Sequence, residues 1–166
     1  MSPKAGPYED LLTWLADHQV PFVIHEHPTS FTATATAHAE GVSERSFAKV
    51  VGLRTAEGST VLVVVDAPDH VDLEKTAGYL GSEWVVLLNE REMAAILPDC
   101  DAGTVPPVPE LCRVQVYADE AVRAEERISF HAGSHDTAVR VDRAAWESAA
   151  GIHYGSFATS SSAVVA

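Results

Sequence analysis

The sequence predicts a single α+β domain in which helices pack on a mixed, largely antiparallel sheet. Three observations carry that prediction. The chain has 166 residues, within the ~100–200 residues usual for one domain. Apolar residues make up 46% and charged residues 21%, so there is enough apolar surface to offset chain entropy. β-rich runs outnumber helical stretches and several adjoin directly, which leaves too few crossover helices for a doubly wound parallel sheet.

The elements follow in chain order. Tyr8, Leu11, Leu12 and Leu15 have the spacing of one helical face, with Pro7 suited to the first turn. Phe22 to Ile24 read as a strand. Thr32 to Glu40 is Ala-rich and stops at Gly41, the signature of a helix. Phe47 to Leu53 and Thr60 to Val65 are β-rich runs joined by Ala56-Glu57-Gly58-Ser59, a hairpin signal. Asp72 caps a short helix that ends at Gly81. Trp84 to Leu88 is a strand, and Asn89 with Glu92 starts a helix to Leu97 as a capping box. Pro98 to Pro109 is a Gly/Pro loop. Val114 to Tyr117, Arg127 to His131 and Thr137 to Val141 are strands, and Asp142 caps a last helix stopped by Gly151. The domain is expected over residues 1–154, with 155–166 a small, polar, frayed tail.

Composition excludes several classes. The longest apolar runs, such as Val61 to Val65, fall far short of the ~20 residues a membrane span needs. The first residues carry no apolar signal core, so a cytoplasmic location is expected. Cys100 and Cys112 make no disulfide framework and fit a reducing compartment. The formal net charge of −13 repels nucleic-acid backbones at long range. A general nucleic-acid or DNA binder is excluded, while a local basic pocket for one RNA end stays open.

Four stretches could carry chemistry. In His25-Glu26-His27-Pro28, the two imidazoles share one strand face and could begin a metal site. Zinc needs three or four ligands, and no recognised ligand spacing completes the pair. His38, His70, His131, His135 and His153 are the candidate completions. Gly133-Ser134-His135-Asp136 has the letters of a catalytic triad, but adjacent residues cannot form the relay. On extended backbone His135 points away from Ser134 and Asp136, and it remains a candidate for contacting a substrate. Gly133-Ser134 reads as a turn. Lys49 stands in an otherwise apolar strand. It either faces water at an edge or faces a pocket, where it could bind an ester or phosphate oxygen. Cys100 to Pro107 combines Gly103 with a Pro-Pro pair, either an ordinary connection or a stiff loop that offers N–H donors to an oxyanion.

In order and spacing these stretches resemble the YbaK-type aminoacyl-tRNA deacylases, related to the editing insertion domain of bacterial prolyl-tRNA synthetases. The resemblance runs from about His25 to Trp146. It takes in His25-Glu26-His27-Pro28, Thr32-Ala33, Ala48-Lys49, Val71 to Lys75, Cys100 to Pro107, Val116 to Asp119 and Ile128 to His135. It implies a small pocket in a mixed sheet and hydrolysis of the ester between a mischarged amino acid and the tRNA 3′ end. It implies Lys49, Gly103 and His135 as catalytic residues and His27, Thr32, Gly133 and Ser134 as substrate contacts. No metal, cofactor or covalent enzyme intermediate is implied; water attacks, with help from the neighbouring ribose hydroxyl. The implied partner is the tRNA acceptor end with its amino acid, with a synthetase as a second one. The sequence departs from the family pattern at Val50, where Thr or Asn is common, and at Val108-Pro109, where Phe-Gly is common.

The expected activity is therefore trans-editing deacylation. The competing readings are a non-catalytic module for aminoacyl-tRNA ends or an amino-acid-like ligand, and a metal hydrolase on His25 and His27.

Overall fold

The computed structural model describes residues 8–27, 32–101 and 103–159. Pro7, Pro28 and Ala102, used in the sequence reading, lie outside them. Helix α1 (Glu9–Asp17) buries Leu11, Trp14 and Leu15, the face its spacing set. Strand β1 (Phe22–Glu26) follows. Helix α2 (Ala33–Glu40) begins where Thr32 Oγ1 accepts the Ala35 N–H at 3.0 Å and ends at Gly41, whose φ is +69°. Strands β2 (Ala48–Thr55) and β3 (Thr60–Asp66) make the expected hairpin, closed by Thr55 N–H on Ser59 O at 2.8 Å. Strand β4 (His70–Val71) leads into α3 (Leu73–Leu80), capped by Asp72. Strand β5 (Val85–Leu87) precedes α4 (Glu90–Ile96), whose Asn89–Glu92 capping box is formed on both sides. Then come α5 (Pro109–Cys112), β6 (Gln115–Asp119), β7 (Arg127–Ser134), β8 (Thr137–Asp142), α6 (Arg143–Ala150), β9 (His153–Gly155) and β10 (Ala158–Thr159).

The strands form a five-stranded sheet ordered β5-β2-β3-β6-β9, a three-stranded sheet β1-β8-β7 and a pair β10-β4. Only β3–β6 and β6–β9 pair in parallel among these named strands. β3 lies at the centre of the larger sheet, and its Val-Leu-Val-Val-Val run from Val61 to Val65 is buried on both faces. Leu62 and Val64 join one core cluster, with α1, β7, β8 and Trp146 of α6. Val61, Val63 and Val65 join a second, with Leu53, Val71 and Phe157. A strand covered on both sides reads as a continuous apolar run, not as an alternating one.

Three sequence expectations change. The boundary after residue 154 falls inside the fold. Gly155 closes β9, Phe157 is fully buried, and Ala158 and Thr159 pair with β4. The reason is Asp119, whose Oδ1 accepts the N–H groups of Phe157 at 2.7 Å and Ala158 at 2.8 Å. Second, Pro109 opens α5 at the first helical position, where a missing N–H costs nothing. Third, the β7–β8 turn is His135-Asp136, since Ser134 pairs with Thr137; Gly133 lies within a bulge of β7, with φ +97°.

Candidate functional site

The site is built on an edge inside the larger sheet. β5 pairs with β2 only at Leu53 to Thr55, and Leu88 N–H on Gly52 O extends that ladder by one bond. Before Gly52 the side of β2 turned away from β3 is open. A cavity of about 730 Å³ wraps around this edge. Ala48 to Gly52 of β2 line it. Ala67, Pro68 and His70 also line it, as do Gly103, Val105 and His131. Leu87, Leu88 and Met93 close an apolar end, and Thr32 to Thr34 with Glu44 form a polar one. The size lies within the ~300–1,000 Å³ of ordinary ligand sites. It is larger than the small pocket expected.

Lys49 lines this cavity. It is half-buried, and its Nζ donates to the Asp69 carbonyl. Burial pulls its pKa down, and the charge of Asp69 opposes that. Beside it, Arg45 donates to Asp69 at 2.8 Å and lies 3.6 Å from Asp66. Burial, then the neighbouring Asp69, push the Asp66 carboxyl up to about 6. A buried acid near a second one is disfavoured as an anion, and a single half-exposed arginine only partly offsets this.

The glycine loop is tied to β7. Asp101 N–H donates to Gly133 O at 3.0 Å, and Gly133 N–H donates to Thr104 O at 3.1 Å. Gly133 has to be glycine: a Cβ there would lie 2.9 Å from Tyr8 Cβ and 3.2 Å from Cys100 Sγ, at a φ that side chains avoid. Gly103 thereby stands at the cavity wall, with the His135 ring next to it.

The structure thus brings Lys49, Gly103 and Thr32 to one cavity; His135 is not in its lining but stands next to Gly103 and against His131, with ring centroids 6.0 Å apart. Gly133 shapes the loop without lining the cavity. Ser134 is buried and donates to Asp136 at 2.6 Å across the β7–β8 turn, so the contact comes from the turn and not from the extended backbone expected there. The side chain of His27 is turned inward. It is 1% exposed, as is that of Glu40, 3.3 Å away. Its ring lies 6.4 Å from that of His131, so it stands behind the lining and not in it. Burial pushes the Glu40 carboxyl up, and His27 is the main opposing influence. Among the described residues no group of three or more His, Cys, Asp or Glu is arranged to hold a metal ion.

Sequence reasoning considered His131 only as a metal ligand, and it missed Glu44 and Met93. His131 had a readable signal. In Ile128-Ser129-Phe130-His131-Ala132 the apolar residues enter the core and the polar ones share the other face. Burial first, then His135 and His27, push its pKa down to about 4, so the ring is neutral. The Gly52 backbone is covered closely by Met93 and Leu88, since a Cβ there would meet Met93 Sδ at 2.3 Å.

No curated protein matches the chain in sequence. Solved structures share its fold. The structure of hypothetical protein APE2540 has a TM-score of 0.80 at 16% identity, over 90% of this chain and 99% of that one. A proposed trans-editing enzyme for prolyl-tRNA synthetase has a TM-score of 0.76 at 19% identity, over 91% and 96%. A scaffold used for computational epitope grafting matches with a TM-score of 0.76 at 21% identity, also over 91% and 96%. The model of one family, described as the aminoacyl-tRNA editing domain, matches residues 27–149. That span contains every residue of the cavity lining, from Thr32 to His131, and the chain belongs to this family.

Proposed function

We propose that the chain is a trans-editing deacylase that hydrolyses the ester of mischarged aminoacyl-tRNA in the cavity along β2. The observation that carries this reading is Lys49, a half-buried cation in the wall of a cavity that also presents Gly103. Water adds to the ester carbonyl carbon, and negative charge develops on the carbonyl oxygen. The Lys49 ammonium and the Gly103 amide stabilise that oxygen. The bond to the ribose oxygen then breaks, that oxygen takes one proton of the attacking water, the other passes to solvent, and the amino acid leaves as a carboxylate. The ester is already activated, so binding, orientation and charge stabilisation suffice and a strong base is not needed. Glu44 at the polar end has the charge to hold the α-ammonium group. A cavity of about 730 Å³ has room for the terminal nucleoside as well as the amino acid, so its size alone does not single out one amino acid.

The test is a deacylation screen of mischarged tRNAs with purified protein, followed by the Lys49→Ala variant. Ester hydrolysis by the wild type, lost in a folded Lys49→Ala protein, supports the reading. Tight binding of aminoacyl-tRNA without hydrolysis would favour the non-catalytic module.

A further inference from the structure

Behind the cavity wall a short hydrogen-bond chain runs from β7 into α2. His131 Nε2 lies 2.9 Å from Thr36 Oγ1, and both side chains are buried. Thr36 Oγ1 lies 2.8 Å from the carbonyl oxygen of Thr32. That oxygen can only accept, so the single hydroxyl proton of Thr36 goes to it. The hydroxyl is then left to accept from the ring, and the proton on His131 sits on Nε2. A neutral imidazole protonated at Nε2 has its lone pair on Nδ1.

We propose that Thr36 is a positioning residue that holds His131 in the Nε2–H tautomer, so that a bare Nδ1 serves as the ring's acceptor at the cavity. The ring faces that cavity from β7, and Phe47 packs edge-on against it at 5.3 Å between centroids. His27 and His135 face it from the other sides, with rings 6.4 Å and 6.0 Å away. Packing thus fixes the ring plane and Thr36 fixes the proton. A nitrogen that titrates near 4 is too weak a base to strip a proton from water outright. Its part is to accept a hydrogen bond from the attacking water and aim it at the ester carbonyl. The kinetic part of this inference rests on the deacylase reading, whereas the tautomer does not.

The experiment is a long-range ¹H–¹⁵N spectrum of the histidine side chains at pH 7, with His131 assigned by its loss in His131→Gln. The wild type should show an Nε2–H, bare-Nδ1 pattern for His131. Thr36→Ser should keep that pattern, and Thr36→Val should lose it. In deacylation, Thr36→Val should lower kcat about 10-fold with KM nearly unchanged, the scale of one lost hydrogen bond, and Thr36→Ser should restore it. An Nδ1–H pattern in the wild type overturns the proposal, as does an unchanged spectrum in Thr36→Val. So does equal loss of kcat in the Ser and Val variants. Should Thr36→Val fail to fold, the wild-type and Thr36→Ser spectra still decide. Absence of deacylation by the wild type would defeat the function reading and leave the tautomer to be judged by its spectrum.

Discussion

Lys49 and Gly133 show two ways in which one residue matters. Lys49 contributes charge to the cavity and little to the core, so Lys49→Ala should abolish deacylation while circular dichroism and the melting temperature stay close to wild type. Gly133 contributes shape. Gly133→Ala forces a Cβ against Tyr8 and Cys100 at φ +97° and should cost about 2–4 kcal/mol in a urea denaturation series. A third effect belongs to a pair of residues with opposite pH dependence. Asp66 is raised in the folded state, so its contribution to stability is present at low pH and fades as pH rises through about 6. His131 is lowered to about 4, so it costs stability where the unfolded ring would be protonated and ceases to do so as pH rises toward 6.5. The two nearly cancel between pH 5 and 7. Asp66→Asn removes one of them, so its unfolding free energy should rise by about 1 kcal/mol more than that of the wild type across that interval. Equal pH slopes for the two proteins would show that Asp66 titrates normally. Of these residues the sequence marked Lys49 as a cation in an apolar strand. It did not say which way the side chain points, because β2 has an open edge only where β5 stops short.

At the scale of elements, most of the fold was legible wherever a local rule operates. Thr32, Asp72, Asn89 and Asp142 cap their helices as their side chains suggest, and Gly41, Gly81 and Gly151 end three of them. β3 was legible from its apolar run. β4, β9 and β10 were not, for each has only two or three residues and none has an alternating pattern. They exist because long-range partners hold them. Phe157 fills a place in the second core cluster, and the Asp119 carboxylate fixes the backbone on either side of it. The cavity was illegible for the same reason, since its walls come from segments separated by up to a hundred residues. Phe157→Ala should therefore destabilise the whole molecule by about 3–5 kcal/mol, as for a buried aromatic elsewhere. A change below 1 kcal/mol in denaturant unfolding would mean that the segment after β9 is peripheral to the fold.

The scale of the whole molecule decides how so acidic a chain can act on tRNA. A net charge of −13 works against long-range attraction to a tRNA body. Lys49, Arg54 and Lys75 carry charge that could meet a phosphate at the acceptor end. Arg54 is ion-paired with Glu92, and Lys75 donates to the Ala158 carbonyl at 3.0 Å. Arg45 is held between Asp66 and Asp69. Lys49 lines the cavity and Lys75 is exposed, and a carbonyl acceptor neutralises the charge of neither. Each phosphate neutralised on a single strand adds ~0.7 to the slope of log K against log salt. Three contacts would give about −2, and one gives about −0.7. The geometry therefore predicts a slope near −1, weak affinity and little dependence on the anticodon, with discrimination left to the aminoacyl end or to a synthetase that holds the tRNA. Binding of aminoacyl-tRNA titrated between 50 and 200 mM salt measures the slope. A value steeper than about −3, with tight binding by the isolated protein, would require the Arg54 and Arg45 ion pairs to open onto RNA phosphate.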